Sequence, residues 1–91
     1  MVTSIILIHT ERTAINDVAE KLAGMDEVSE VYSVSGNYDL IAIVRVRSND
    51  DLANFVTDKL RNIAAIRQTE TMLAFKAFSR HDLEAMFSLG M

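Results

Sequence analysis

Apolar side chains recur along this chain in two rhythms, and the rhythms lay out its elements. Val2 to His9 is rich in β-branched residues, with Ile5 and Leu7 on one parity and Ile6 and Ile8 on the other, and reads as a strand. Ile15, Val18, Ala19 and Leu22 then recur at i, i+3, i+4 and i+7. That spacing predicts a helix capped by Thr13 and ended at Gly24. A second strand spans Val28 to Ser35 and a third spans Asp39 to Arg47. Leu52, Phe55, Val56 and Leu60 mark one face of a second helix. Ser48 or Asn49 caps it, and Asp50 and Asp51 sit at its positive end. A fourth strand runs from about Gln68 to Phe78. Ser79 to Leu89 reads as a short closing helix, with Leu83, Met86 and Phe87 on one side.

The order β-α-β-β-α-β predicts an α+β, ferredoxin-like fold. Right-handed crossovers put the first and third strands at the centre of the sheet. The residues agree, because these two strands are the most continuously apolar, while the second carries Ser29, Glu30, Ser33 and Ser35 as an edge strand should. Leu40, Ala42, Val44 and Val46 point one way, and Ile41 and Ile43 the other. Two helices cover only one face of such a sheet. The second apolar face predicts dimerisation through the sheet, as in dimeric α/β barrels.

Composition narrows the function. At 91 residues the chain is expected to be a single domain, 1–91. A chain of this size buries only about 60–65% of its unfolded surface, so self-association helps it. The net charge of −4 argues against direct nucleic-acid binding, which needs clustered Lys and Arg. Arg45 and Arg47 are the only close basic pair on a strand, and Asp50 and Asp51 follow them. With no cysteine, disulfides, thiolate metal sites and cysteine nucleophiles are excluded. The run Ile5 to Ile8 is too short for a signal sequence, and nothing approaches a membrane span, so a cytoplasmic protein is expected.

Candidate chemistry concentrates in two places. Between the second and third strands lies Val34-Ser35-Gly36-Asn37-Tyr38-Asp39. Gly36 and Asn37 tolerate positive φ and make a short hairpin connection cheap. Tyr38 and Asp39 set a ring and a carboxylate beside exposed backbone amides, a group able to bind a small zwitterion. By turn chemistry alone an ordinary hairpin tip is the commoner outcome. At the start of the fourth strand, Thr69 and Thr71 of Gln68-Thr69-Glu70-Thr71 share a face and present two hydroxyls. Thr also simply favours strands. His9 and His81 lack HxH or HxxxH spacing, so both read as structural or solvent-facing, and no metal site or catalytic arrangement is expected. Asp50, Asp51 and Asp58 read as a solvated helix face, and Met72 and Met86 as packing.

Taken together, the two segments resemble the C-terminal effector domain of the Lrp/AsnC (feast/famine) regulators. That family shows a V..V....G.YD segment and, later, a V..T.T segment. Val28, Val31, Gly36, Tyr38, Asp39, Thr69 and Thr71 fit, with Ile66 where the family usually has Val. The resemblance covers residues 2–78 in order. No helix-turn-helix domain precedes Met1, so the expectation is a stand-alone effector domain without a DNA-binding domain. The resemblance implies dimers through facing sheets, assembly into octamers or larger rings, and a small amino-acid effector bound between neighbouring dimers. Carried over by position, its contacts are Gly36, Asn37, Tyr38 and Asp39, with Gln68, Thr69 and Thr71. It implies no cofactor, and it raises mixed assembly with a full-length Lrp/AsnC regulator as a partner.

Two other functions share this element order. A small cofactor-free α+β-barrel enzyme, such as a monooxygenase or isomerase, needs polar or aromatic groups lining a pocket between sheet and helices. This chain has no Trp and chiefly aliphatic sheet positions. An ACT-type module carries a Gly-bearing loop after its first strand, and His9-Thr10-Glu11-Arg12 has none. A non-catalytic amino-acid sensor is the expectation.

Overall fold

The computed structural model describes residues 1–78 and Arg80. The closing helix expected over Ser79 to Leu89 therefore lies outside the described residues apart from Arg80. Strand β1 spans Val2–Thr10, helix α1 Ile15–Ala23, β2 Val28–Ser33, β3 Leu40–Val46, α2 Asn49–Asn54 and β4 Ile66–Ala74. The four strands form one antiparallel sheet in the order β2-β3-β1-β4, so the two most apolar strands are central as expected.

The sheet divides its side chains between two environments. Ser4, Ile6, Ile8 and Thr10 of β1, with Leu40, Ala42, Val44 and Val46 of β3, are buried beneath the helices. Val18 and Leu22 of α1 and Phe55, Leu60 and Ile63 complete that core from the helical layer. Ser4 is satisfied there by donating its hydroxyl to the Met72 carbonyl at 2.8 Å. The opposite face carries Ile5 and Leu7 of β1, paired with Ile43 and Ile41 of β3 and with Met72 and Glu70 of β4. Nothing in the chain covers those apolar residues among the described positions. Ile5, Leu7, Ile41 and Ile43 remain half-buried and Met72 is exposed.

Several boundaries differ from the sequence expectation. Thr13 does not cap α1; it lies in a 3₁₀ turn over Arg12–Ala14, and α1 begins without a side-chain cap. Ser48 does cap α2, its hydroxyl accepting the Asp51 N–H at 3.1 Å. The second helix widens after Asn54 into a π-helical segment, Phe55–Leu60. The Arg61 N–H donates to the Val56 carbonyl at 3.0 Å, the i→i−5 bond of that geometry. This spacing sinks both Phe55 and Leu60 into the core, at 2% and 1% exposure. β4 starts earlier than expected, at Ile66, because a bulge between its pairings with His9 and Thr10 absorbs Arg67. It ends at Ala74 and not at Phe78. β2 stops at Ser33 and β3 runs only from Leu40 to Val46. Residues 34–39 are thus a six-residue loop and not a tight hairpin tip.

Candidate functional site

The loop at residues 34–39 is shaped by one glycine and anchored by one aspartate. Gly36 sits at φ +108°, a backbone conformation that side-chain-bearing residues rarely adopt. Asn37 does not share it, since no other described residue has positive φ. A Cβ at Gly36 would meet nothing within 4 Å, so conformation and not space within the chain requires glycine there. The loop closes where the Val34 N–H donates to the Asp39 carbonyl at 3.1 Å.

Asp39 then ties the loop across to β1. Its N–H donates to the Ile8 carbonyl at 2.9 Å, and its Oδ2 accepts the Thr10 N–H at 2.9 Å. A carboxylate accepting a backbone N–H is a charge-assisted bond, stronger than a neutral one. Tyr38 leans over the end of the open face. Its hydroxyl donates to Glu70 of β4 at 3.0 Å, which holds the phenol above its ordinary value of 10.0. The His9 ring stacks on Tyr38 with centroids 4.4 Å apart, and its Nδ1 lies 3.7 Å from Asp39 Oδ2. His9 was expected to be a structural or solvent-facing residue. It is half-buried against the candidate loop, a contact that no sequence spacing signals, because 29 positions separate it from Tyr38.

The two threonines lie elsewhere. Thr69 pairs directly with Ile8 and Thr71 with Ile6, and directly opposed residues in a ladder point to the same face. Ile6 and Ile8 are buried under the helices, so Thr69 and Thr71 share the helical side, at the exposed edge of the sheet. Gln68 pairs with His9 and Glu70 with Leu7, on the open side with Tyr38. Within one chain, the sheet therefore brings Tyr38 and Gln68 to one end of the open face, with Gly36, Asn37 and Asp39 in the loop that carries Tyr38, and puts Thr69 and Thr71 behind it. A cavity of about 170 Å³ beside Leu60, Ile63 and Ile66 is rimmed by Arg61, Arg67, Gln68 and Thr69. Arg61 stands in no motif and Arg67 falls on an unspecified position of the V..T.T segment, so the sequence singled out neither; guanidinium groups beside a hydroxyl suit a carboxylate.

Comparison with known proteins fixes the family. The sequence model of the Lrp/AsnC ligand binding domain matches residues 3–83. The chain belongs to the Lrp/AsnC family. YugG of Bacillus subtilis, an uncharacterized HTH-type transcriptional regulator, is 39% identical over 67 residues, 74% of this chain and 40% of YugG. The chain thus spans less than half the length of that relative. The crystal structure of hypothetical protein PHS023 from Pyrococcus horikoshii is 42% identical, with a TM-score of 0.81 over 89% of this chain and 98% of that one. The Neisseria meningitidis regulator NMB0573, solved as a complex with L-Met, shares the fold at 16% identity. Its TM-score is 0.79 over 87% of this chain and 53% of its own. The ferredoxin-like Lrp/AsnC fold is the one read from the sequence. Among the described residues, no helix is long and apolar enough to cross a membrane.

Proposed function

We propose that this Lrp/AsnC domain is a non-catalytic sensor of a small free amino acid, and that binding is coupled to self-assembly. The observation that carries the reading is the division of the candidate contacts between the two faces of one sheet. The Tyr38 ring of the Gly36–Asp39 loop lies on one side, and Thr69 and Thr71 on the other. A ligand that uses both sets has to bridge copies, so occupancy and assembly become one equilibrium. The ammonium group pairs with the acidic loop, where Asp39 and Glu70 are the nearby carboxylates. The carboxylate is taken by backbone amides or by the threonine edge beside Arg61 and Arg67. That the fold relative NMB0573 was solved with L-Met supports an amino acid as the ligand class. The relatives' designation as HTH-type transcriptional regulators supports a regulatory role in the cytoplasm, and the net charge of −4 argues against direct DNA contact by this domain.

A thermal-shift screen of the twenty amino acids, paired with light scattering, tests the reading. A subset of small amino acids is expected to raise the midpoint and to change the scattering mass together. A shift without any change of mass would separate binding from assembly, and no shift with any amino acid would sink the sensor reading.

A further inference from the structure

His9 stands where the loop meets the sheet. The two bonds that pin Asp39 to β1 fall on either side of it: Asp39 N–H to Ile8 carbonyl and Thr10 N–H to Asp39 Oδ2, each 2.9 Å. Its ring lies against Tyr38 at 4.4 Å with planes 24° apart. Its Nδ1, 3.7 Å from Asp39 Oδ2, is beyond a hydrogen bond but within ion-pair reach. The charged and titratable groups around it come from three elements. Asp39 and Tyr38 belong to the loop, Glu70 reaches it from β4 through the Tyr38 hydroxyl, and Glu11 lies 4.0 Å from Arg67 at the strand end. Gln68, opposite His9 on β4, is neutral.

We propose that His9 is a positioning residue for the 34–39 loop, and that its proton state sets how strongly the loop holds a ligand's ammonium group. The consequence for affinity rests on the amino-acid reading of the loop; the effect on the loop itself does not. With His9 neutral, the Asp39 carboxylate, its Oδ2 already accepting the Thr10 N–H, still offers negative charge to a cation. The imidazolium puts a positive charge beside Oδ2, draws that oxygen into a charge-assisted bond and competes with the ammonium.

Calorimetry at about pH 8 and about pH 5.5 tests this, with an amino acid found in the thermal-shift screen as the probe. Affinity should fall at least about fivefold at the lower pH, and the fall should vanish in His9→Gln and His9→Phe. His9→Phe keeps a ring over Tyr38, so packing alone would leave it like the parent. His81→Gln should keep the full pH profile. In the ligand-free protein, the Tyr38, Asp39 and Thr10 amide resonances should titrate together in this range, and should stay still in His9→Gln. Amides that do not move in the parent protein, or an affinity that falls equally in His9→Gln, would overturn the proposal. If no amino acid binds at any pH, the sensor reading falls, and the amide titration alone decides the role of His9.

Discussion

Asp39 shows how one residue serves the fold before it serves a ligand. Its Oδ2 is already engaged by the Thr10 N–H at 2.9 Å, and its side chain is 34% exposed. Removing the carboxylate leaves a backbone donor of β1 unpaired. Asp39→Ala should therefore cost about 1–2 kcal/mol of stability in urea unfolding, with faster hydrogen exchange at Thr10. Unchanged stability would mean water replaces the carboxylate without loss. Gly36 has a different cost. Gly36→Ala forces a side-chain-bearing residue to φ +108° and should destabilise by about 1–3 kcal/mol, although the added methyl meets open space. Melting unchanged in Gly36→Ala would show that the loop relaxes to another backbone conformation. Both residues were legible in the sequence as the loop's important positions, because glycine and a short acidic side chain announce turn chemistry locally. Their partners were not. Thr10 and His9 approach Asp39 only through the β1–β3 pairing, and pattern along the chain carries no signal of a contact across 29 or 30 positions.

At the scale of elements, the hydrophobic rhythm gave the number, type and order of the strands and helices, and it missed their ends. The π segment shows why. Leu52, Phe55, Val56 and Leu60 fit an α-helical face well enough, yet the chain widens so that Phe55 and Leu60, five residues apart, both reach the core. Core packing chooses between these geometries, and packing is not local. The bulge at Arg67 is likewise a compromise between β1 and β4 that neither strand encodes alone. The π segment is also tied to the start of β2. Lys59 pairs with Glu27 at 2.8 Å, and that hydrogen bond holds the Glu27 carboxyl below its ordinary value of 4.5, against the opposing effect of its partial burial. A depressed folded value means the folded chain binds fewer protons than the unfolded one. The pair's stabilisation is thus complete above 4.5 and is lost as pH falls through the lowered folded value. In Lys59→Met, urea midpoints should lie below those of the parent at neutral pH and converge with them in acid. Because Lys59 is 46% exposed, the gap should be small and should narrow in high salt. A gap that widens in acid would contradict this assignment.

For the whole molecule, the central question is what covers the open face of the sheet. Parity in β3 already exposed the problem in the sequence, since Ile41 and Ile43 point away from Leu40, Ala42 and Val44. The fold sharpens it. Ile5 and Ile43 are paired at the middle of the open face, Leu7 and Ile41 lie beside them, and Met72 and Tyr32 extend the patch to both edges at 41% and 49% exposure. A standard interface of about 800 Å² per partner, at roughly 25 cal/mol per Å² of apolar area, is ample to offset the loss of rotational and translational freedom. An identical sheet related by a two-fold axis meets the need with one self-complementary surface. The parent protein should therefore sediment as a dimer or a larger assembly at micromolar concentration. Ile43→Lys sets a charge at the centre of the patch while leaving the helical core untouched, because its neighbours Ala42 and Val44 alone face that core. It should sediment as a folded monomer with unchanged far-UV circular dichroism. Glu20→Lys, exposed on α1 on the helical side of the sheet, should leave the assembly intact. A parent protein that is monomeric at tens of micromolar would remove the sheet face as the interface. So would an Ile43→Lys variant that still assembles, because a lysine cannot be desolvated there without a partner for its charge.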